Sequence, residues 1–193
     1  MANTKEIKLP APVKSKFSLD QAMQNRRSKR NFSEKELSLS QISQLLWAGQ
    51  GITSEQGKRT APSAGALYPM ELYLLTKEGL YHYIPRGHKL KVVSESDLRR
   101  DLSASARGQS SVADAPLDII ICAVFSRVTG KYGERGVKYA YIEAGHIAQN
   151  IHLEAEALGL GSVPVGAFSD EEVSETLNLP EDTEPIYIIP VGY

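Results

Sequence analysis

The eight residues Leu117 to Val124 (Leu-Asp-Ile-Ile-Ile-Cys-Ala-Val) constrain this chain more than any other stretch. The run is almost wholly apolar and rich in β-branched side chains, which favour the pleated backbone. A strand of that composition has both faces covered, so the run predicts a strand at the centre of a sheet. Cys122 lies within it and is the only cysteine of the chain. One thiol forms no internal disulfide, and Cys122 reads as a small core residue.

Around this strand, helical and strand patterns interleave irregularly. Ser18 caps a helix that begins Leu19, Ala22, Met23 and runs into a basic cluster. Ser38 caps a second helix with apolar positions Leu39, Ile42, Leu45 and Leu46, closed by Gly49 and Gly51. Glu71 to Thr76 and Leu80 to Ile84 read as a hairpin around Gly79. Ser94 to Ala106 reads as a surface helix. The longest helix spans Tyr139 to Leu158, with Ala140, Ala144, Ile147, Ala148, Ile151 and Ala155 on one face. Those small residues predict close packing against a neighbour. Ser169 and Glu172 match a capping box for a short helix through Leu177, and Ile186 to Val191 forms the last strand. The pattern predicts an α+β domain around one sheet. Residues 1–17, with Pro10 and Pro12 flanked by lysines, read as an extended arm, and 18–193 as the domain proper.

At 193 residues the chain buries roughly 70% of its unfolded surface, enough for a core without staples. Its 22 basic and 23 acidic residues leave a net charge of −1, which argues against wholesale binding to nucleic acid or a membrane surface. The start, Met1 to Lys8, is polar and no run reaches the ~18 apolar residues of a membrane helix. A cytoplasmic location is expected.

Three segments suit chemistry. Arg26-Arg27-Ser28-Lys29-Arg30 matches a phosphate monoester, because guanidinium forks and a hydroxyl fit its acceptor oxygens. Taken alone it equally suits a solvated basic turn or a nucleic-acid patch. Pro62-Ser63-Ala64-Gly65-Ala66-Leu67-Tyr68-Pro69 sets small residues between two prolines, where backbone approaches a flat ligand or merely connects two elements. Gly161-Ser162-Val163-Pro164-Val165-Gly166-Ala167-Phe168 offers backbone N–H groups to a cofactor, or forms a strand edge and turn. Metal chemistry has no support. His146 and His152 stand six residues apart, about 600° round a helix, and so share no face. There is no HExxH, no cysteine pair, no GxGxxG opening a helix, no GxxxxGK[ST] and no GxSxG.

In order and spacing these pieces resemble the nitroreductase superfamily, most closely the branch of dehydrogenases that oxidise thiazolines and oxazolines in ribosomal peptides. Further markers are Gly108-Gln109, Ala113 to Pro116, Lys131 to Arg135, Glu143, Gly145-His146, Gln149-Asn150 and Val163 to Gly166. The resemblance runs from about Ser18 onward. It implies a central, mostly antiparallel sheet flanked by helices, in a homodimer with two flavin mononucleotide (FMN) sites at the subunit interface. By resemblance Arg26, Arg27 and Ser28 hold the phosphate and ribityl end, and Arg30 approaches the O2/N1 side of the ring. Pro62, Ser63, Ala64, Gly65 and Leu67 line the flavin from the other subunit. Gln109 contacts the pyrimidine edge or ribityl chain, and Val163, Pro164, Val165 and Gly166 bring N–H groups near N5. Lys131 and Tyr132 resemble the catalytic Lys-Tyr pair of the azoline branch. Many members add a basic C-terminal segment at the phosphate; the chain ends at Tyr193 without one, so the arginine cluster is expected to carry that role, with Lys138 or Arg135 as further cations. The implied activity passes hydride from NADH or NADPH to a small acceptor such as a nitroaromatic or quinone. The alternatives are an azoline dehydrogenase acting on modified peptides, and a flavin-binding protein without turnover.

Overall fold

The apolar run does form the central strand. In a computed structural model, which describes residues 5–193, Leu117–Ala123 (β5) is buried at every position. It lies between Met70–Thr76 (β2) and Glu184–Gly192 (β7), antiparallel to both. With Glu6–Lys8 (β1), Gly79–Ile84 (β3), Lys89–Ser94 (β4) and Gly161–Ser162 (β6), they make one seven-stranded sheet in the order β1-β4-β3-β2-β5-β7-β6. Every strand pairing in it is antiparallel.

Among the described residues seven α-helices pack around the sheet: α1 (Leu19–Asn25), α2 (Leu39–Gln50), α3 (Arg99–Ser105), α4 (Ser110–Asp114), α5 (Ser126–Tyr132), α6 (Arg135–Ala157) and α7 (Asp170–Thr176). Strand alternation sends the residues of β5 to two cores. Leu117, Ile119, Ile121 and Ala123 pack with α2 and α6, while Ile120 and Cys122 pack with residues of α3, α4 and α7. Ser18 and Ser38 cap their helices as the sequence predicts, and each does so in a full capping box, with Gln21 and Gln41 reaching back to the cap. At Ser169 only half of the expected capping box forms: its hydroxyl accepts from the N–H of Glu172, and the Glu172 side chain makes no return bond to Ser169 among the described residues.

Small residues do bring helices together. A Cβ at Gly49 would lie 3.3 Å from both Ile147 and Ile151, so α2 and α6 meet there nearly backbone to side chain. Gly49 therefore sits inside α2, and Gly51 alone caps it. The long helix starts at Arg135, a turn before the expected Tyr139, because Gly136 packs directly on the backbone of Val128 and Thr129.

Other expectations need correction. The helix expected from Ser94 begins only at Arg99, since Ser94 ends β4 by pairing with Leu80. The N-terminal arm is extended, but it is not unpacked. Glu6–Lys8 pairs with Lys89–Lys91, Leu9 is buried, and Pro10 accepts from Ser43 at 2.6 Å. The side chain of Gln44 then bonds both the N–H and the C=O of Val13. Residues 1–4 of the arm lie outside the described residues. No helix among the described residues is long and apolar enough to cross a membrane.

Candidate active site

The structure sorts the predicted site residues into two groups held by opposite faces of α6. The first group centres on the edge strand β6. Arg26 ends α1 as its C-cap, with its N–H on the carbonyl of Ala22. The chain then turns against β6, where Ser28 forms a parallel bridge with Ser162 and the Lys29 N–H donates to the Ser162 carbonyl at 3.0 Å. Arg26 is half-buried, while Arg27, Ser28 and Arg30 are exposed. Arg27 spends part of its fork locally, donating to the carbonyls of Gln24 (3.0 Å) and Arg26 (2.8 Å). Gly161 is required because a Cβ there would run into the stem of Lys29 at 2.8–2.9 Å.

The same edge continues into Val163 to Gly166. Here the expectation of several free N–H groups fails. The Val163 N–H donates to Pro190 and the Val165 N–H to Ile188, and Pro164 has none. Val163 and Val165 are buried by this pairing, whereas Gly166 is exposed with its N–H outside the ladder. Gln109 closes the group. It follows a turn in which Arg107 and Gly108 both have positive φ, and its amide donates to Ala106 and Ala167 at 3.1 Å. Its side-chain Oε1 accepts no hydrogen bond from the described residues.

The second group is the loop from Pro62 to Tyr68. Ser63 accepts the Tyr68 N–H on its hydroxyl at 2.9 Å and the Ala66 N–H on its carbonyl at 3.0 Å. Between them Gly65 (φ 61°), Ala66 (φ 53°) and Tyr68 (φ 49°) are all left-handed. For alanine and tyrosine that conformation costs about 1–2 kcal/mol per residue, so the loop is strained. Its surroundings hold it. The Arg59 guanidinium lies 4.4 Å from the Tyr68 ring centre, and Arg127 donates to the Tyr68 carbonyl.

Lys131 and Tyr132 end α5 against this loop. A Cβ at Gly65 would lie 2.8 Å from Tyr132 Oη and 3.1 Å from Lys131 Nζ. Tyr132 is braced edge-on by Tyr139, 5.1 Å between ring centres. The predicted pair and the predicted loop thus come together. Both neighbours of Gly65 are flexible tips, so its left-handed φ decides the cost of adding a methyl. Gly65→Ala should lower stability by roughly 1–2 kcal/mol, read from the shift in a urea midpoint; an unchanged midpoint would mean the loop relaxes freely.

Beside the loop a cavity of 280 Å³ is lined by Pro62, Ser63, Ala64, Tyr139, Ile142, Glu143 and His146. Glu143 is buried, and burial pushes its carboxyl above the usual range, while hydrogen bonds from Ser63 and Gln50 pull the other way. Gln50 in turn accepts from Arg59 at 2.7 Å. Burial lowers the Arg59 guanidinium, opposed by the charges of Glu71 and Glu143. Sequence reasoning had no signal for Gln50 or Arg59: Gln50 meets Glu143 across 93 residues, and Arg59 meets Gln50 and Tyr68 at 9 residues to either side, a spacing set by the loop and by no helix or strand period. No group of three or more His, Cys, Asp or Glu among the described residues suits a metal ion.

Glu143 faces the loop, and His152, nine residues on, bonds Ser162 at 2.7 Å. Nine residues are about 900° of rotation and about 13 Å of rise, so the two face opposite ways. One chain therefore keeps the arginine group and the Ser63 loop apart.

Comparison with known proteins identifies the family and the fold. A nitroreductase-family protein of Methanocaldococcus jannaschii is 40% identical over 198 residues, covering 100% of this chain and 98% of its relative. The microcin B17-processing protein McbC of Escherichia coli is 29% identical over 65% of this chain and 50% of its own length. The NAD(P)H-dependent FMN reductase of Bacillus subtilis is 29% identical over 55% and 49%. Among solved structures, a nitroreductase-family protein of Ralstonia eutropha superposes with a TM-score of 0.89 at 33% identity, covering 100% of this chain and 90% of that one. The model of the nitroreductase family matches residues 23–193, nearly everything from α1 onward. With that match and the fold in agreement, the chain belongs to the nitroreductase family and is an oxidoreductase.

Proposed function

We propose that the chain binds FMN between two copies of itself and passes hydride from NADH or NADPH to a small organic acceptor, such as a nitroaromatic or a quinone. The observation that carries the reading is the cluster of Arg26, Arg27, Ser28 and Arg30, fastened by Lys29 and Ser28 to the edge strand β6. It gathers cations and a hydroxyl along one strand edge, which suits a phosphate dianion. Beside it, the side-chain Oε1 of Gln109 and the N–H of Gly166 suit the polar groups of a ribityl chain and a pyrimidine edge. The buried imidazole of His152 backs the same strand.

Bound FMN would supply a two-electron hydride acceptor and donor at N5. The chain's own residues do the rest. Arg26, Arg27 and Ser28 would fix the phosphate, and Arg30 would place a cation where negative charge gathers on the reduced ring. The Ser63 loop would close the ring from the partner subunit; its separation from the arginine group within one chain supports that arrangement.

The test is the visible spectrum of the purified protein, with the bound pigment released and identified, followed by anaerobic addition of NADH or NADPH. FMN at about one per chain that bleaches within seconds fits the reading. A protein that stays colourless in excess FMN overturns it.

The contact of Lys131 and Tyr132 with Gly65 favours a second reading, an azoline dehydrogenase acting on modified peptides. The sequence likeness to McbC supports it. In that case Lys131 or Tyr132 would take the proton that leaves as the hydride departs. Such a base contributes ~10²–10⁴-fold in rate. Lys131→Ala and Tyr132→Phe should then abolish oxidation of a thiazoline peptide and leave bleaching by NAD(P)H intact; loss of neither activity would exclude the pair as catalytic.

A further inference from the structure

No role in binding or hydride transfer has fallen to His152 beyond its place behind β6. It is buried on α6, 5% exposed, with Nδ1 at 2.7 Å from the Ser162 hydroxyl. Its Nε2 is shielded from solvent and has no hydrogen-bond partner among the described residues. An unpaired polar atom in a core is destabilising, so a leucine would fill the position with less strain on stability. Packing alone therefore does not account for an imidazole here. What its one bond holds does. Ser162 carries the carbonyl that receives the Lys29 N–H, and it bridges Ser28 in the middle of the arginine cluster. Burial, and then the nearby charge of Arg26, lower the imidazole's pKa to about 4, so at neutral pH it adds no positive charge behind the guanidinium.

We propose that His152 is a positioning residue of the phosphate site: through Ser162 it fixes the strand on which Arg26, Arg27 and Ser28 are presented. The inference rests on the FMN reading above. β6 is only two residues long and is the last strand of the sheet, so beyond β7 it has little else to hold its register. A loosened Ser162 lets Ser28 and Lys29 move, and the phosphate loses the aligned donors while the rest of the flavin site stays in place.

The experiment compares FMN with riboflavin, which lacks only the phosphate, by fluorescence quenching on the wild-type dimer-competent full chain and on three variants. His152→Leu and Ser162→Ala remove the bond, and His152→Asn sets an amide near the position of Nδ1. The expected result is a roughly tenfold fall in the FMN-to-riboflavin affinity ratio in the first two, with most of it restored in the third. Should His152→Leu not fold, Ser162→Ala removes the same bond and leaves the core filled. A ratio unchanged in Ser162→Ala overturns the inference, as does an equal loss of both flavins, which marks a merely structural role. Wild-type protein that binds neither flavin overturns the FMN reading itself and this inference with it. Wild-type protein that binds both equally shows that the cluster holds no phosphate.

Discussion

Replacing Arg26 and Arg27 together with alanine is expected to weaken FMN binding by roughly 10²–10⁴-fold and riboflavin binding by less than about threefold. Hydrogen bonds to a charged group are worth about 1.5–3 kcal/mol each, and two of them sum to ~3–6 kcal/mol, at about 1.4 kcal/mol per factor of ten. The fold should tolerate the change. Arg26 is half-buried and Arg27 exposed, and the side-chain bonds lost within the helix end are the two that Arg27 makes to the carbonyls of Gln24 and Arg26. Circular dichroism and thermal melting check that part, and a flavin titration checks the rest. Affinity for FMN should also fall as salt rises in the wild type, and less so in the variant. If FMN binds the double variant as tightly as the wild type, phosphate is held somewhere else.

The second large effect is on stability, and its sign is unusual for removing a charged residue. Asp118 stands in the middle of β5, opposite Leu75 on β2 and Pro190 on β7, and is fully buried. Neither carboxyl oxygen has a hydrogen-bond partner among the described residues. Burial drives its pKa well above the ordinary carboxylate value; the charge of Arg99 opposes this and that of Asp97 adds to it. Arg99 offers little relief, since it pairs with Asp97 through Nε and Nη2 at 2.9 and 2.7 Å. In the folded state Asp118 therefore keeps a proton that the unfolded chain gives up near pH 4. Its contribution is fully present below that pH and is lost as pH rises through the folded value. Asp118→Val, which suits a buried strand, should gain roughly 1–3 kcal/mol at pH 8. The gain should shrink towards pH 4. Urea unfolding of both proteins across that range gives the answer, and a variant less stable than wild type at pH 8 would show that Asp118 has a partner worth keeping.

Legibility in the sequence followed how local each signal was. β5 announced itself because a doubly covered strand needs no alternation, and the caps at Ser18 and Ser38 were readable because each serine stands directly before a run of helical apolar spacing. β1 and β4 were not readable. Three residues such as Glu6-Ile7-Lys8 carry no period, and their pairing rests on a partner some 80 residues away. The site was legible in another way. Arg26 to Arg30, Ser63 to Gly65 and Lys131-Tyr132 stood out through their order along the chain, which resembles a known family. That order could not say that the N–H groups of Val163 and Val165 are already engaged. Nor could it distinguish buried His152 from exposed His146 on the same helix. Asp118 stood in plain view in a run read as almost wholly apolar, yet nothing local told that its carboxyl is buried without a partner among the described residues. Facing, which tertiary packing decides, is what the one-dimensional pattern lacks in each case.

The two ends of the sheet limit how copies of this protein can meet. One rim, β1, is three residues long and bears Glu6 and Lys8, with Glu6 tied to Lys89 and neighbouring Lys5 tied to Glu95. The other rim, β6, is two residues long and already occupied by Ser28. Short, charged or pre-empted rims give a foreign strand no template to zip onto. Ribbon extension therefore finds little footing on either of these two strands, and a second copy has more to meet on the helices and loops, where Arg26 and Ser63 lie.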